Sequence, residues 1–227
     1  MSIKLAISGA SGKTGYRIAE EALKAGLQVR LLLRANSKLP ESLQSCEQRR
    51  LSLGDANALD EALRGCDALV IATGARPSID LTGPARIDAW GVRRQVASCE
   101  RVGIKRLLLV SSLCAGRWQH PLNLFGLILI WKRIGEQALE QSNLDWTVIR
   151  PGGLLEQEDD LELQGIRYSG PNTQENDSIP RRLVAQCCVE AVKTPKSIGR
   201  IIEITSGTDL QAINLEKALE APAMRVS

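Results

Sequence analysis

SGASGKTG, Ser8 to Gly15, is the stretch that decides how the rest of the chain is read. It follows an apolar run, IKLAISG (3–9), and opens an amphipathic pattern, TGYRIAEEALKAG (14–26). Glycines at 9, 12 and 15 give GxxGxxG, a variant of the GxGxxG fingerprint that gains meaning when strand, loop and helix follow in register. There Gly9 allows the tight turn, Gly12 lets backbone approach a pyrophosphate, and Gly15 lets helix and strand pack closely. The helix N-terminus adds free N–H groups and the positive end of its dipole. Ser11, Lys13 and Thr14 can add side-chain contacts. The plain alternative is a glycine-rich turn that binds nothing.

Outward from this loop, short apolar runs alternate with helical patterns. LQVRLLLR (27–34), RRLSLGD (49–55), DALVIATG (67–74), KRLLLVSSL (105–113), LDWTVIRPG (144–152) and GRIIEITS (199–206) read as strands. Segments 58–66, 85–103, about 122–141, 180–194 and 215–221 read as helices. This alternation predicts one α/β domain over residues 1–227, a Rossmann-type doubly wound, mainly parallel sheet with helices on both faces. Residues 156–177 form the one long polar, irregular stretch, with a short strand expected near 165–169. It reads as a lid over the sheet edge or as a plain surface excursion. PLNLFGLILIW (121–131) is too short to span a bilayer and reads as a buried helix, with a hydrophobic docking face as the alternative.

Bulk composition narrows the function classes. The apolar share is 44% and the charged share 24%, as in ordinary globular chains, and the aromatic share of 3% asks for an aliphatic core. The net charge of +3 is spread over scattered basic pairs, including Arg49-Arg50, which read as solvated faces and not as a nucleic-acid patch. Six cysteines show no CxxC spacing and there is one histidine, so a metal site is not expected. Cys187-Cys188 reads as a pair of small buried residues and not as a redox couple. The chain opens directly on a strand pattern, so no targeting peptide and a cytoplasmic location are expected.

The ends of the strands carry the remaining ligand signals. Arg34 follows Gly15 at about the 20-residue spacing of the ribose-reading residue, where an acid would select NAD. After Arg34, no acid occurs before Glu41. Arginine there pairs with a 2′-phosphate through its fork geometry, with Ser37 and Lys38 assisting, so NADP is expected over NAD. Asp55 is placed to accept from an adenine amino group or to cap the following helix. Ala72, Thr73 and Gly74 end the fourth strand, small enough for backbone to lie against the nucleotide. All these positions converge on the carboxyl ends of the strands.

GASGKTG, LGDANALD, ATGA, KRLLLVSSL and TVIRPGGL together resemble the landmarks of atypical, NmrA-like short-chain dehydrogenase/reductases. NLFGLILIWKRIGEQALEQSNLDWTVIRPGG resembles more specifically a plant and cyanobacterial subgroup. That subgroup includes the NADP-binding domain of the chloroplast inner-envelope translocon's redox-sensing subunit. The resemblance runs from Ile3 to about Ala221. It implies the Rossmann fold, NADP(H) binding, Lys132 as a ligand of the nicotinamide ribose, Ser111 at the end of the fifth strand among the cofactor-binding positions, and the backbone of Pro151, Gly152 and Gly153 lining the nicotinamide side. The 227 residues hold no counterpart of the long extension that tethers ferredoxin–NADP reductase in the chloroplast protein, so that partner is not expected.

Reductases of this superfamily pair a strand-end serine with a tyrosine and a lysine. Ser112 and Lys132 match two of these, but Ile128 holds the tyrosine slot and cannot donate a proton. Proton donation of that kind is worth about 10²–10⁴-fold in rate. His120, between the fifth strand and the Lys132 helix, is the candidate replacement, against a loop-capping role; Tyr168 would have to reach in from a lid. The expected function is an NADPH-dependent oxidoreductase acting on a flavin-, quinone- or other conjugated acceptor. The alternative is a non-catalytic NADP redox sensor or scaffold for a partner protein. An epimerase-like reading is disfavoured by the short chain.

Overall fold

A computed structural model describes residues 2–74, 82–124 and 126–221. The strands are β1 (Lys4–Ser8), β2 (Gln28–Leu33), β3 (Glu47–Arg50), β4 (Ala68–Ile71), β5 (Arg106–Val110), β6 (Asp145–Pro151), β7 (Gly153–Leu155), β8 (Gly165–Ser169), β9 (Ser178–Pro180) and β10 (Arg200–Gly207). The helices are α1 (Lys13–Lys24), α2 (Ala56–Leu63), α3 (Val92–Val102), α4 (Ile128–Glu140), α5 (Arg181–Lys193) and the short α6 (Leu215–Ala218). A π-helical segment, Ala85–Gly91, leads into α3.

One sheet carries the fold, in the order β3-β2-β1-β4-β5-β6-β10-β8. The first six strands follow the 3-2-1-4-5-6 order of doubly wound nucleotide-binding sheets, and the order reverses between β1 and β4. Every pairing is parallel except that of β8, which lies antiparallel on β10 as an edge strand. β7 and β9 form a separate parallel pair near the carboxyl end of β6.

Strand periodicity splits the core between the two faces. Leu5 and Ile7 of β1, with Leu31, Val70, Leu108 and Ile149, pack under α1 and α5. Ala6 of β1, with Leu32, Leu69, Leu107 and Val148, packs under α2, α3 and α4. Arg182 of α5 pairs with Glu20 and Glu21 of α1, stapling these helices side by side. Both then begin at the carboxyl end of the sheet.

Two expectations are revised. The third strand occupies residues 47–50 and not 49–55, because Asp55 caps α2 and so ends the extended run earlier. The stretch 121–131 is not a buried helix. Residues 121–124 form a 3₁₀ turn, and α4 starts only at Ile128, after Leu127 in the left-handed conformation (φ 57°). Leu129 and Ile130 are buried, but Leu122, Leu124 and Leu127 are exposed, Leu124 at 83%.

Candidate functional site

The glycine loop crosses the carboxyl ends of β1 and β4. Gly9 takes φ 84°, open to glycine at no steric cost. A methyl there would also stand 2.7 Å from the Ala72 carbonyl oxygen and 2.8 Å from the Thr73 nitrogen. A methyl on Gly15 would stand 2.1 Å from the Gly9 carbonyl oxygen, so this glycine is what lets α1 sit tight against the loop. Gly12 closes the turn by donating its N–H to the Gly9 carbonyl at 2.8 Å. Next to the loop, Thr73 Oγ1 is buried with no hydrogen-bond partner among the described residues. An unsatisfied buried hydroxyl is costly, and it lies where the sheet order reverses. The tight backbone cradle and this orphaned hydroxyl fit a phosphate-bearing nucleotide.

The remaining residues expected around the nucleotide fall into two groups. Arg34 and Lys38 are exposed on the loop after β2, and Ser37 of that loop is tied to the glycine loop by a 3.2 Å hydrogen bond between the Ser11 and Ser37 hydroxyls. Arg50 of β3, read from sequence as a solvated residue, organises that loop. Its Nη1 donates to the carbonyls of Ala35 and Ser37 at 2.8 and 3.0 Å. Asp55 caps α2, its Oδ1 accepting the Ala58 N–H at 3.0 Å.

Lys132 is brought to the same end of the sheet. A methyl on Gly74 would stand 3.7 Å from Lys132 Nζ and 3.8 Å from Asp88 Oδ1. Lys132 Nζ donates to Asp88 Oδ1 at 2.9 Å, with the lysine side chain 14% and the aspartate 3% exposed. Asp88 lies on the π-helical segment, a rare conformation that often marks functional sites. α4 crosses it so closely that a methyl on Gly135 would stand 2.2 Å from the Asp88 carbonyl oxygen. Lys132 is therefore an internal, paired lysine and not an exposed helix lysine.

The two strand-end serines have different environments. Ser111 is buried and donates to Glu136 Oε1 at 2.6 Å. Ser112 is half-buried, and its hydroxyl makes no hydrogen bond among the described residues. Ile128 packs at half-burial against Leu113, Cys114 and Leu129. His120 Nδ1 accepts the Leu122 N–H at 3.2 Å, which caps the 3₁₀ turn. Tyr168 is not on a lid. It lies in β8 opposite Ile204 and packs into the core under α5, where burial raises its pKa far above the ordinary phenol value.

Behind the serines runs an ionic network that the sequence reading missed. Arg150 of β6 makes a fork to Glu136, Nε to Oε1 at 2.9 Å and Nη2 to Oε2 at 2.7 Å, and reaches Glu203 of β10 at 3.3 Å. All three side chains are at most 2% exposed. Glu203 accepts the backbone N–H groups of Asn172, Thr173 and Gln174 at 2.8–3.0 Å. The polar stretch expected as a lid is thus pinned to the sheet at 172–174. Pro151 and Gly152 lie beside it: Pro151 accepts from Leu113, and Gly152 donates to Ile204, each at 2.9 Å. Glu136 stands four residues after Lys132 on one helix face, the only local signal that could have found it.

Residues 9–195 match a family model described as NAD(P)H-binding. An uncharacterised chloroplastic protein of Arabidopsis thaliana is 31% identical over 217 residues, covering 89% of this chain and 76% of that protein. Protein TIC 62, chloroplastic, of Pisum sativum is 29% identical over 238 residues, 94% of this chain but 45% of that protein. The chain thus spans three quarters of the first relative and less than half of the second. A putative NAD-dependent epimerase/dehydratase from Bacillus halodurans is 26% identical, with a TM-score of 0.84 over 96% of this chain and 99% of that one. Both plant relatives are chloroplastic, which overturns the cytoplasmic expectation.

Proposed function

Because the chain belongs to the NAD(P)H-binding family whose model spans residues 9–195, we propose that it is an atypical short-chain reductase that prefers NADP(H) and serves a conjugated acceptor of the flavin or quinone type. The observation that carries this reading is Lys132. Its ammonium is held by Asp88 beside Gly74 at the end of β4, while the position one helical turn earlier is the apolar Ile128. An ammonium so placed can hold ribose hydroxyls without a tyrosine partner.

In this reading Gly9, Gly12 and Gly15 cradle the pyrophosphate, with Ser11, Lys13 and Thr14 around it. Arg34 and Lys38 take the 2′-phosphate from a loop shaped by Arg50. Asp55, already satisfied as a helix cap, keeps a second oxygen for the adenine amino group. Ala72, Thr73 and Gly74 line the nucleotide ribose and phosphates. When bound, the nicotinamide supplies a hydride. Pro151 and Gly152 close the nicotinamide side, and Ser112, the serine with an uncommitted hydroxyl, orients the acceptor. Ser111 acts indirectly, by fixing the end of β5 against Glu136. His120 keeps one ring nitrogen on the Leu122 N–H and has the other for proton donation.

Acceptors that delocalise charge need little help from a protein acid, whereas an ordinary ketone needs a proton in the transition state. The proposal therefore predicts NADPH oxidation with flavins or quinones and little with simple ketones. Absence of turnover across a broad panel of conjugated acceptors would defeat it. A second reading, a redox sensor without chemistry, is favoured by the exposed Trp118, Leu122 and Leu124 on the segment before α4. It predicts a protein complex whose affinity differs between NADPH- and NADP-loaded forms.

A further inference from the structure

We infer that Arg181, at the start of α5, is a further ligand of the dinucleotide diphosphate, with Glu156 as the internal anion it surrenders when the dinucleotide binds. The inference rests on the dinucleotide reading above and adds to it a residue from the far end of the chain. Arg181 Nη1 donates to Thr14 Oγ1 at 3.0 Å, across 167 positions of sequence. Thr14 is the second residue of α1, in the turn whose free N–H groups face the phosphate position. The guanidinium therefore stands one hydrogen bond from the phosphate loop.

Its other edge is engaged by a carboxylate. Arg181 Nε donates to Glu156 Oε1 at 2.8 Å, and the same oxygen takes Lys13 Nζ at 3.0 Å. Arg17 Nη1 lies 3.6 Å from the other Glu156 oxygen, and its Nη1 also holds the Lys13 carbonyl at 2.7 Å. One carboxylate thus collects Lys13, Arg181 and Arg17 at the mouth of the glycine loop, the charge set that a diphosphate wants. The Lys13 contact first, and then Arg181, hold the Glu156 carboxyl below the usual range, so it is an anion at neutral pH.

The relative strengths favour exchange. Glu156 is 48% exposed, beside Arg181 at 19% and Lys13 at 61%, and ion pairs to so exposed a carboxylate are weak and screened. Arginine to phosphate is a charge-assisted, often two-pronged contact and is stronger. A diphosphate at the loop also brings like charge against Glu156, which drives that carboxylate off its cations while Glu158 stays in place. Arg17 and Arg182 keep their contacts with Glu158 and are not needed for this exchange.

The test is calorimetric binding of NADP, NAD and ADP to wild type, Arg181→Gln, Arg181→Lys and Glu156→Gln, with thermal melts of each free protein. Arg181→Gln should raise Kd about tenfold, and alike for all three ligands, because the diphosphate is what they share. Arg181→Lys should recover part of this, and Glu156→Gln should lower Kd for all three. Normal Kd values in a normally melting Arg181→Gln, a loss confined to NADP, or weaker binding by Glu156→Gln would each overturn the inference. If Arg181→Gln melts early, the Lys and Glu156 variants decide. Wild-type protein that binds none of the three would overturn the dinucleotide reading itself.

Discussion

At the scale of single residues, the proposed preference for NADP over NAD rests on Arg34. It is exposed, and no acid on its loop competes for a 2′-phosphate. Arg34→Glu replaces a charge-assisted contact by repulsion, so it should raise Kd for NADP about tenfold or more while leaving NAD within a factor of about two. Titration of both dinucleotides into the variant checks this, and equal losses would remove the 2′-phosphate assignment. Cys187 and Cys188 offer a second residue-scale prediction. Both are fully buried in α5, and burial pushes their thiols well above the ordinary value. Neither should react with iodoacetamide at pH 8 in the native protein, and both should react after unfolding, as peptide mass mapping would show. Sequence had read these cysteines as inert packing, and burial agrees. It could not read Asp88 or Arg181, because their partners, Lys132 and Thr14, lie far away in the chain and no local spacing encodes the meeting.

At the scale of elements, the buried fork between α4 and β6 governs how the site is held. Removing one partner of such a pair leaves an uncompensated charge and costs about 3–5 kcal/mol. Arg150→Met, which takes the buried cation from both Glu136 and Glu203, should therefore unfold at much lower denaturant, while Arg150→Met with Glu136→Leu should recover part of the loss, since Glu203 keeps its three backbone N–H groups. Chemical denaturation of the three proteins checks it; an additive double variant would show that the two charges do not depend on each other. α2 and α3 are tied in a different way. Asp60 accepts from Ser98 and takes both prongs of Arg101, and the Arg101 contact, then Ser98, lowers its carboxyl from 3.8 to about 2. A depressed folded pKa stabilises above the ordinary value and ceases to do so as pH falls through the folded one. Wild type should exceed Asp60→Asn by on the order of 1 kcal/mol at neutral pH, since Arg101 is half exposed. That margin should disappear between about pH 4 and pH 2. The element order was legible because β1, β4 and β5 each carry an unbroken apolar run, and β2 is interrupted only by Arg30. The π-helical segment was not, since ARIDAWG has the same apolar spacing as an α-helix, and the crossing of α4 at Gly135 that accompanies it is a tertiary contact.

At the scale of the molecule, the proposed site draws its phosphate loop from the first fifteen residues, its 2′-phosphate loop from the end of β2, Lys132 from α4 and Arg181 from α5. A dinucleotide that bridges them stabilises the fold as a whole, and not one loop. At about 100 times Kd a ligand adds about 2.7 kcal/mol to the native state. For a chain of this size each kcal/mol moves Tm about 2–4 °C, so saturating NADP should raise Tm by about 5–10 °C. NAD at equal concentration should raise it less, because it lacks the phosphate that Arg34 and Lys38 await. The transition should also stay single. β1 joins both core clusters, through Leu5 and Ile7 on one face and Ala6 on the other, so neither half can melt without the other. Calorimetric scans at matched concentrations of the two dinucleotides test both points. A larger shift with NAD would reverse the assigned preference. A shift confined to one of two resolved transitions would mean that the ligand holds only the β1–β2 end of the sheet and that Lys132 and Arg181 do not touch it.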